Sequence, residues 1–254
     1  MARIDINCDM GESYGNFKIG NDSAIFPYIT SCNIACGFHG GDPLHIEKTI
    51  QGALAYGVQI GAHPSYPDLA GFGRRHMQIP EDELRALVKY QIAALKGMVE
   101  SLGGQLRYVK PHGALYNTAA HQAKEAMAII KAIQEVDESL YLMGLAGSPI
   151  EQLATERKIP FVAEAFADRK YMADGRLRSR SKIGAVIDSP EEAAKQVVDI
   201  VLRRQVETYE GDYWALEAQS ICIHGDNPAA VSVLQAIDRQ LQENEIAKEA
   251  FKHA

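Results

Sequence analysis

The chain of 254 residues is long enough to build one large hydrophobic core. Its apolar content of 46% and charged content of 23% are ordinary for a soluble globular protein. A formal net charge of −7 argues against a nucleic-acid-binding surface, and no segment approaches the roughly 20 apolar residues of a membrane helix. The chain begins on a strand pattern, from which we expect no signal peptide, and its four cysteines form no CxxC pair. We therefore expect a cytoplasmic protein with reduced, mostly buried cysteines.

Short apolar segments rich in branched aliphatic and aromatic residues predict seven β-strands. In chain order they are residues 3–8, 31–36, 58–62, 106–110, 139–144, 160–166 and 220–224. Helical periodicity lies between most of them, as in the spacing of Leu84, Val88 and Ile92. Several helices begin with a polar cap and a proline, such as Asp42-Pro43, and proline suits the first helical position. This alternation predicts a parallel sheet with right-handed crossovers.

The predicted fold is an α/β protein with a seven-stranded, TIM-like β/α barrel, residues 1–254 forming a single domain. An eight-stranded barrel and an open doubly wound sheet are the alternatives. Two connections, 63–79 and 167–188, are too long for simple turns and are expected to be functional. The second is rich in arginine and lysine, and its segment 185–187 is expected to form an extra strand or part of a hairpin.

Each predicted strand ends in a polar cluster, and a β/α barrel gathers the carboxyl ends of its strands on one face. The first cluster offers Asp9 and Glu12, and paired carboxylates divide acid and base roles when their surroundings separate their pKa values. A turn aspartate with a solvated glutamate is the structural alternative. The second cluster places His39 among glycines that allow close approach of a ligand, while Asp42 is expected only to cap the following helix.

The third and fourth clusters carry histidines and cations. His63 ends a strand, and Arg74 in the following loop is a candidate for clamping a carboxylate or phosphate, although a solvated basic loop is the simpler reading. His76 in the same loop is ambiguous. Lys110 and His112 end the fourth strand; a partly buried lysine stabilises negative charge, and histidine transfers protons near neutral pH.

The last clusters add charged groups to the same face. Glu164 lies within an otherwise apolar strand and is expected to point into the barrel rather than to face water from an edge. Asp168 and Arg169 follow it, as a structural ion pair or as an anchor for a substrate carboxylate. In the final cluster, Asp226 is expected to orient His224 or to stabilise its charge.

A metal site is only weakly indicated, because the chain has no HExxH or other local ligand pair. Histidine and carboxylate side chains from separate strands can form a catalytic zinc site, and such a set could come from Asp9, Glu12, His39, His63 and His224. Of these, Asp9, His39 and His63 are the metal-ligand candidates.

Five long motifs resemble the LamB/YcsF family, which comprises the A subunits of prokaryotic 5-oxoprolinases. They are NCDMGES at 7–13, NIACGFH at 33–39, GAHPSYPD at 61–68, VKPHGALY at 109–116 and IHGDNP at 223–228. The resemblance spans essentially the whole chain and implies a barrel of the glycoside hydrolase and deacetylase type. It further implies ATP-dependent opening of 5-oxo-L-proline to L-glutamate, with ATP as co-substrate, Mg²⁺ accompanying it, and B and C subunits as partners. Homo-oligomer formation is left open.

In this hypothesis, Lys110 with Arg74 or Arg169 stabilises oxyanion and phosphate charge, and Arg169 binds the substrate carboxylate. Water is activated by one of Asp9, Glu12, His39 and His63, and the leaving nitrogen is protonated by His112 or His224. The chain contains no Walker A motif, so an ATP site would be unusual or shared with a partner. The alternatives are a metal-dependent, deacetylase-like hydrolase and a non-catalytic protein that binds the substrate for, or regulates, another subunit.

Overall fold

The computed structural model describes residues 2–180 and 182–252. The strands are β1 Arg3–Met10, β2 Ser31–Ala35, β3 Gln59–His63, β4 Leu106–Val109, β5 Tyr141–Leu145, β6 Phe161–Phe166, β7 Gln205–Glu207, β8 Tyr213–Ala215, β9 Ser220–Ile223 and β10 Ala247–Lys248. The helices are α1 Asp22–Ile25, α2 Pro43–Tyr56, α3 Glu81–Ser101, α4 Gly113–Ala119, α5 Ala123–Val136, α6 Pro149–Glu156, α7 Pro190–Val198 and α8 Ala230–Glu243. A 3₁₀ turn at Phe26–Tyr28 follows α1, and a π-helical turn at Asp199–Arg203 follows α7.

Strands β1 to β6 and β9 close into a parallel barrel. Neighbours follow chain order from β1 to β6, and β9 pairs with both β6 and β1. Ser220 of β9 lies in register with Glu164 on one side and with Asp5 on the other. This closure confirms the predicted seven-stranded barrel and excludes the open sheet. The eight-stranded alternative is wrong, because β10 pairs only with Arg3 and Ile4 of β1, before the closed ring begins.

The helices cover the outside of the barrel with apolar faces. Helix α3 buries Leu84, Val88 and Ile92 at helical spacing, each no more than 1% exposed. Burying each of these side chains stabilises the fold by roughly 1.5–3 kcal/mol relative to exposure. Helix α2 begins as its sequence predicts, because Asp42 accepts hydrogen bonds from the backbone N–H groups of the first turn. Among the described residues, no helix has both the length and the apolar character needed to cross a membrane.

The inside of the barrel is polar. Along β1, Asp5, Asn7 and Asp9 alternate with apolar residues, and side chains on alternate positions of a strand point to opposite faces. Asp5 accepts hydrogen bonds from the hydroxyl groups of Ser31 and Ser220, and Asn7 donates to Glu164. These contacts form a hydrogen-bonded column that leads from the N-terminal end of the barrel to its mouth.

The long basic loop between β6 and α7 packs against the β7–β8 hairpin, which the sequence analysis did not predict. The antiparallel hairpin of β7 and β8 lies beside it, where the Arg178 guanidinium stacks on Tyr209 at 3.5 Å. Trp214, the single tryptophan of the chain, packs against Gly175. The segment 185–187 adds no strand to the barrel. It pairs antiparallel with the start of the same loop, through an isolated bridge between Val186 and Arg169, in agreement with the hairpin alternative.

Candidate active site

The strand ends surround a cavity of about 530 Å³ at the mouth of the barrel. Seven of the side chains singled out in the sequence line it: Asp9, His63, Arg74, Lys110, His112, Arg169 and His224. Tyr116 and Asn117 of α4 also line it, together with apolar groups such as Phe166. The cavity is therefore built from the C-terminal ends of the strands and the loops that follow them, as expected for a β/α barrel.

Lys110 is the central charge at the floor of the cavity. Its ammonium lies 2.9 Å from Asp9 Oδ1, 2.8 Å from Glu164 Oε1 and 3.1 Å from Asn7 Oδ1. Cys222 Sγ is a further neighbour at 3.0 Å. Glu164 points into the barrel, as predicted, and is fully buried. An ammonium group has three N–H donors, so the protein itself can engage all three.

The mutual attraction of Lys110 and Asp9 keeps both side chains ionised. Burial alone would lower the pKa of Lys110, but its negative neighbours, Asp9 foremost, raise it well above the ordinary lysine value. Burial alone would raise the pKa of Asp9, but His63 and Lys110 lower it well below the ordinary value. Asn33 also donates to Asp9 Oδ1, at 2.8 Å. Asp9 is thus held as a carboxylate in a fixed position.

Three histidines and Glu12 form a second group beside this charge, which we call the histidine cluster: Glu12, His39, His63 and His112. His63 Nε2 lies 2.9 Å from His112 Nδ1 and 3.4 Å from Asp9 Oδ2. The ring of His39 stacks on that of His112, with centroids 3.7 Å apart, and its Nε2 lies 3.2 Å from Glu12 Oε1.

Burial sets the protonation of the cluster. It lowers the pKa of His39 and, with the neighbouring His39 and His63, that of His112, so both imidazoles favour the neutral form. Burial and the charge of Asp9 raise the pKa of Glu12 well above the ordinary glutamate value. Asp9 and Glu12 therefore occupy different electrostatic environments, as paired carboxylates with separate roles require.

Gly73 makes the cover of the cluster possible. A Cβ at this position would lie 2.7 Å from the His112 ring and 2.8 Å from His39 Cβ, and the backbone φ is +63°. Only glycine accommodates both restrictions. The backbone of the loop between β3 and α3 can therefore pack directly against the imidazoles, and the Phe72 carbonyl oxygen lies 2.9 Å from His112 Nε2.

His224 is oriented by Asp168, so the expectation that Asp226 orients this histidine was wrong. His224 Nδ1 lies 2.9 Å from Asp168 Oδ1, and both side chains are largely buried. Asp226 instead accepts a hydrogen bond from Arg74 Nη2 at 2.6 Å. Asp226 lies two residues beyond His224, past the end of β9. Asp168 follows strand β6, which pairs with β9, and so it lies next to His224.

Three arginines form a basic wall of the cavity: Arg74, Arg169 and Arg180. Arg74 lies 2.6 Å from the Asp226 carboxylate, and Arg180 lies 3.9 Å from it. Arg169 is 4% exposed; its Nη2 donates to the Arg178 carbonyl, while its buried Nε has no hydrogen-bond partner among the described residues. Burial, together with Arg180, lowers the pKa of Arg169 to about 10. The wall is suited to an anionic group.

Three titratable side chains near the strand ends, His76, Arg75 and His45, belong neither to the cavity nor to the histidine cluster. His76 is exposed and packs edge-on against Tyr66. Arg75 pairs with Asp68, and His45 pairs with the helix cap Asp42. These contacts indicate structural roles for the three side chains and not a role in the site.

Several residues of the site were missed in the sequence. Asn33 and Cys222 contact Asp9 and Lys110 from inside the barrel, and the Tyr108 hydroxyl donates to Asn33. Arg176, Arg180 and His121 line the cavity. Polar Asn33 in a buried strand, flanked by apolar neighbours on the opposite face, was a usable signal. Nothing local distinguishes Cys222 from an ordinary buried cysteine.

The fold and this strand-end site define a β/α-barrel enzyme. The sequence pattern of the LamB/YcsF family matches residues 4–254, and the chain belongs to that family. It is 52% identical to the A subunit of 5-oxoprolinase from Acinetobacter baylyi over 239 residues, covering 94% of each chain. It is 49% identical to the A subunit of 5-oxoprolinase from Bacillus cereus over 248 residues, covering 97% of this chain and 98% of the relative.

Solved structures agree with this assignment. The crystal structure of a lactam utilization protein from Thermus thermophilus superposes with a TM-score of 0.93 at 42% identity, over 98% of this chain and 100% of that one. A family 4 carbohydrate esterase from Streptomyces lividans gives a TM-score of 0.51 at 10% identity, over 97% of this chain and 91% of the esterase. The second similarity establishes the barrel fold alone.

Proposed function

We propose that this chain opens the lactam ring of 5-oxo-L-proline to give L-glutamate, as the A component of an ATP-dependent 5-oxoprolinase. The observation that carries the proposal is one cavity that combines Lys110 with Asp9 at its floor, the His224–Asp168 pair and a basic wall. Relatives about half identical to this chain over nearly its full length are named as the A subunits of 5-oxoprolinases.

The proton-transfer role falls to His224. A carboxylate only accepts hydrogen bonds, so Asp168 fixes the His224 proton on Nδ1 and leaves the Nε2 lone pair for the substrate side. His224 Nε2 takes a proton from the attacking water and returns it to the ring nitrogen as the C–N bond breaks. His112 is less suited to this step, because both its ring nitrogens already have neighbours within 2.9 Å.

The charged residues of the site have two separate roles: Lys110 holds Asp9 in place, and the arginines of the basic wall bind the negative charges of the substrate. Because Asn7, Asp9 and Glu164 surround its ammonium, Lys110 acts chiefly by keeping Asp9 ionised and in place, where Asp9 Oδ2 orients the water. Arg169 binds the substrate carboxylate, and Arg74 lies beside the oxyanion or phosphate that develops on the lactam oxygen.

ATP provides the driving force in this proposal. Phosphorylating the amide oxygen turns the lactam carbonyl into a better electrophile, and Mg²⁺ accompanies the nucleotide. Water attack and C–N cleavage then give the γ-acyl phosphate of glutamate, and a second water releases inorganic phosphate from it to leave L-glutamate. Since the sequence lacks a Walker A motif, we assign at least part of the nucleotide site to a partner, with B and C subunits completing the enzyme. The cytoplasm supplies ATP, and the four free cysteines suit its reducing conditions.

The test measures ADP and glutamate release from 5-oxoproline by this chain alone and with its B and C partners, each with and without chelator. The proposal predicts glutamate formation that requires both this chain and ATP. Hydrolysis that needs no nucleotide and is destroyed by chelation would instead favour the deacetylase-like alternative. Full activity of the partners without this chain would favour a regulatory role.

A further inference from the structure

Two ring nitrogens of the histidine cluster face each other with no hydrogen between them when both imidazoles are neutral. His63 Nδ1 lies 2.7 Å from the Lys110 carbonyl oxygen, and His112 Nε2 lies 2.9 Å from the Phe72 carbonyl oxygen. Carbonyl oxygens only accept, so both of these nitrogens carry hydrogen. A neutral imidazole has one N–H, which leaves His63 Nε2 and His112 Nδ1 as two lone pairs facing each other at 2.9 Å.

This arrangement is the one that metal-binding histidines adopt. Such a histidine typically donates its outer N–H to a backbone carbonyl or carboxylate, which orients the ring and directs the inner lone pair at the ion. Here two backbone carbonyls orient two rings toward one point: that of Lys110, just after β4, and that of Phe72, in the loop between β3 and α3. Both rings are almost fully buried yet line the cavity, so an ion between them would face a substrate.

Glu12 supplies a third ligand. Its Oε1 lies 3.6 Å from His112 Nδ1, and one donor atom from each cluster residue lies within 4.8 Å of the others. An ion ~2.1 Å from each ligand holds neighbouring ligand atoms roughly 3.0–3.4 Å apart, close to the 2.9 Å and 3.6 Å that separate His112 Nδ1 from its two neighbours. His39 cannot aim an in-plane lone pair at the same ion while it stacks parallel to His112, but its Nε2 can donate to Glu12 and orient it.

We propose that His63 Nε2, His112 Nδ1 and Glu12 Oε1 bind a divalent transition-metal ion of the zinc type, with its open side toward the cavity. Two imidazoles and one carboxylate suit such an ion, whereas Mg²⁺ prefers an all-oxygen shell with several waters. This centre is therefore separate from the Mg²⁺ that accompanies ATP. The binding site stands on its own geometry and does not depend on the proposed ring-opening reaction.

The experiment titrates chelator-treated, dialysed full-length protein with Zn²⁺ by calorimetry and with Co²⁺ by visible absorption, without substrate. Wild-type protein is expected to bind about one ion per chain and to give the ligand-field bands of a nitrogen- and oxygen-ligated Co²⁺. His63→Ala and Glu12→Gln are expected to weaken Zn²⁺ binding at least ~100-fold, and His39→Gln about 10-fold, as loss of an orienting contact does. His76→Ala is the matched control, because His76 is exposed outside the cluster, and it keeps wild-type affinity.

Wild-type protein that binds no stoichiometric Zn²⁺ or Co²⁺ would overturn the proposal and leave a proton shared between His63 and His112. Equal affinity in Glu12→Gln and wild type, with both folded by circular dichroism, would also overturn it. Because no turnover is measured, these outcomes are separate from any failure of the 5-oxoprolinase assay.

Discussion

The ammonium of Lys110 lies 2.9 Å from the carboxylate of Asp9 inside the barrel, where the two side chains are only 3% and 7% exposed. Glu164, on strand β6, contacts the same ammonium at 2.8 Å. One cation therefore compensates two buried anions, and the fold and the site depend on the same contact.

Replacing Lys110 with methionine is expected to abolish glutamate formation and to lower the free energy of unfolding by about 3–5 kcal/mol. The loss is large because Asp9 and Glu164 are left buried without their cation. Lys170→Met is the matched control: its partner Glu192 is 51% exposed, and a surface pair contributes roughly 0–1 kcal/mol. Denaturant unfolding measures both variants, and equal losses would contradict the assignment.

Asp168→Asn is expected to reduce kcat by about 10²–10⁴-fold with little change in KM, because His224 loses the group that fixes its tautomer. Asp226→Asn is expected to change mainly KM, since Asp226 contacts Arg74 and Arg180 of the basic wall. Steady-state kinetics of the complete enzyme separate the two effects. A kcat loss confined to Asp226→Asn would restore the pairing expected from the sequence.

Arg169→Gln is expected to raise KM for 5-oxoproline about 10–100-fold, since it removes the charge assigned to the substrate carboxylate. Arg75→Gln tests the specificity of that effect, because Arg75 is an arginine of a mouth loop that pairs with Asp68 away from the cavity. Its KM is expected to stay at the wild-type value. Parallel KM changes in the two variants would argue for a general effect of positive charge.

Gly73→Ala and Gly57→Ala separate backbone strain from steric conflict at the histidine cluster. The two glycines have φ values of +63° and +66°, but a Cβ at Gly57 meets nothing within 4 Å. Gly57→Ala should therefore cost only the conformational penalty, about 1 kcal/mol. Gly73→Ala should cost more and reduce turnover, because its Cβ displaces His39 and His112. Identical unfolding free energies would show that the loop adapts without disturbing the rings.

Asp5 is expected to make stability fall as pH rises. Burial raises its pKa from 3.8 to about 6 in the folded protein, so the folded state holds its proton more tightly than the unfolded state. The resulting stabilisation is complete below the unfolded pKa and is lost as pH rises through about 6, a change of ~3 kcal/mol. The difference in unfolding free energy between wild type and Asp5→Asn should therefore decrease from about pH 4 to about pH 7. A constant or increasing difference would contradict the burial argument.

Strand ends were predictable because their signals are local. A run of apolar residues followed by His63 or Lys110 indicates both the strand and the end of it that carries the reactive group. The barrel topology then brings these strand ends together. The cap at Asp42 was predictable for the same reason, because it acts on its own helix.

Contacts across the barrel were not predictable from one sequence. The pairing of His224 with Asp168 and not Asp226 depends on the register between strands, which no local pattern specifies. The opposed lone pairs of His63 and His112 depend on a loop carbonyl at Phe72, whose position is set by tertiary packing. Hairpin β7–β8 was missed because its strands are only three residues long and mostly exposed.

The most direct test of the account is the rate of glutamate formation from 5-oxoproline by the complete enzyme, with this chain either wild type or carrying Asp168→Asn. That variant leaves the buried charges around Lys110 in place and changes only the partner of His224. The account predicts wild-type glutamate formation coupled to ADP release and a loss of about 10²–10⁴-fold in the variant. A folded Asp168→Asn enzyme that forms glutamate at the wild-type rate would contradict the claim that this barrel mouth opens the ring.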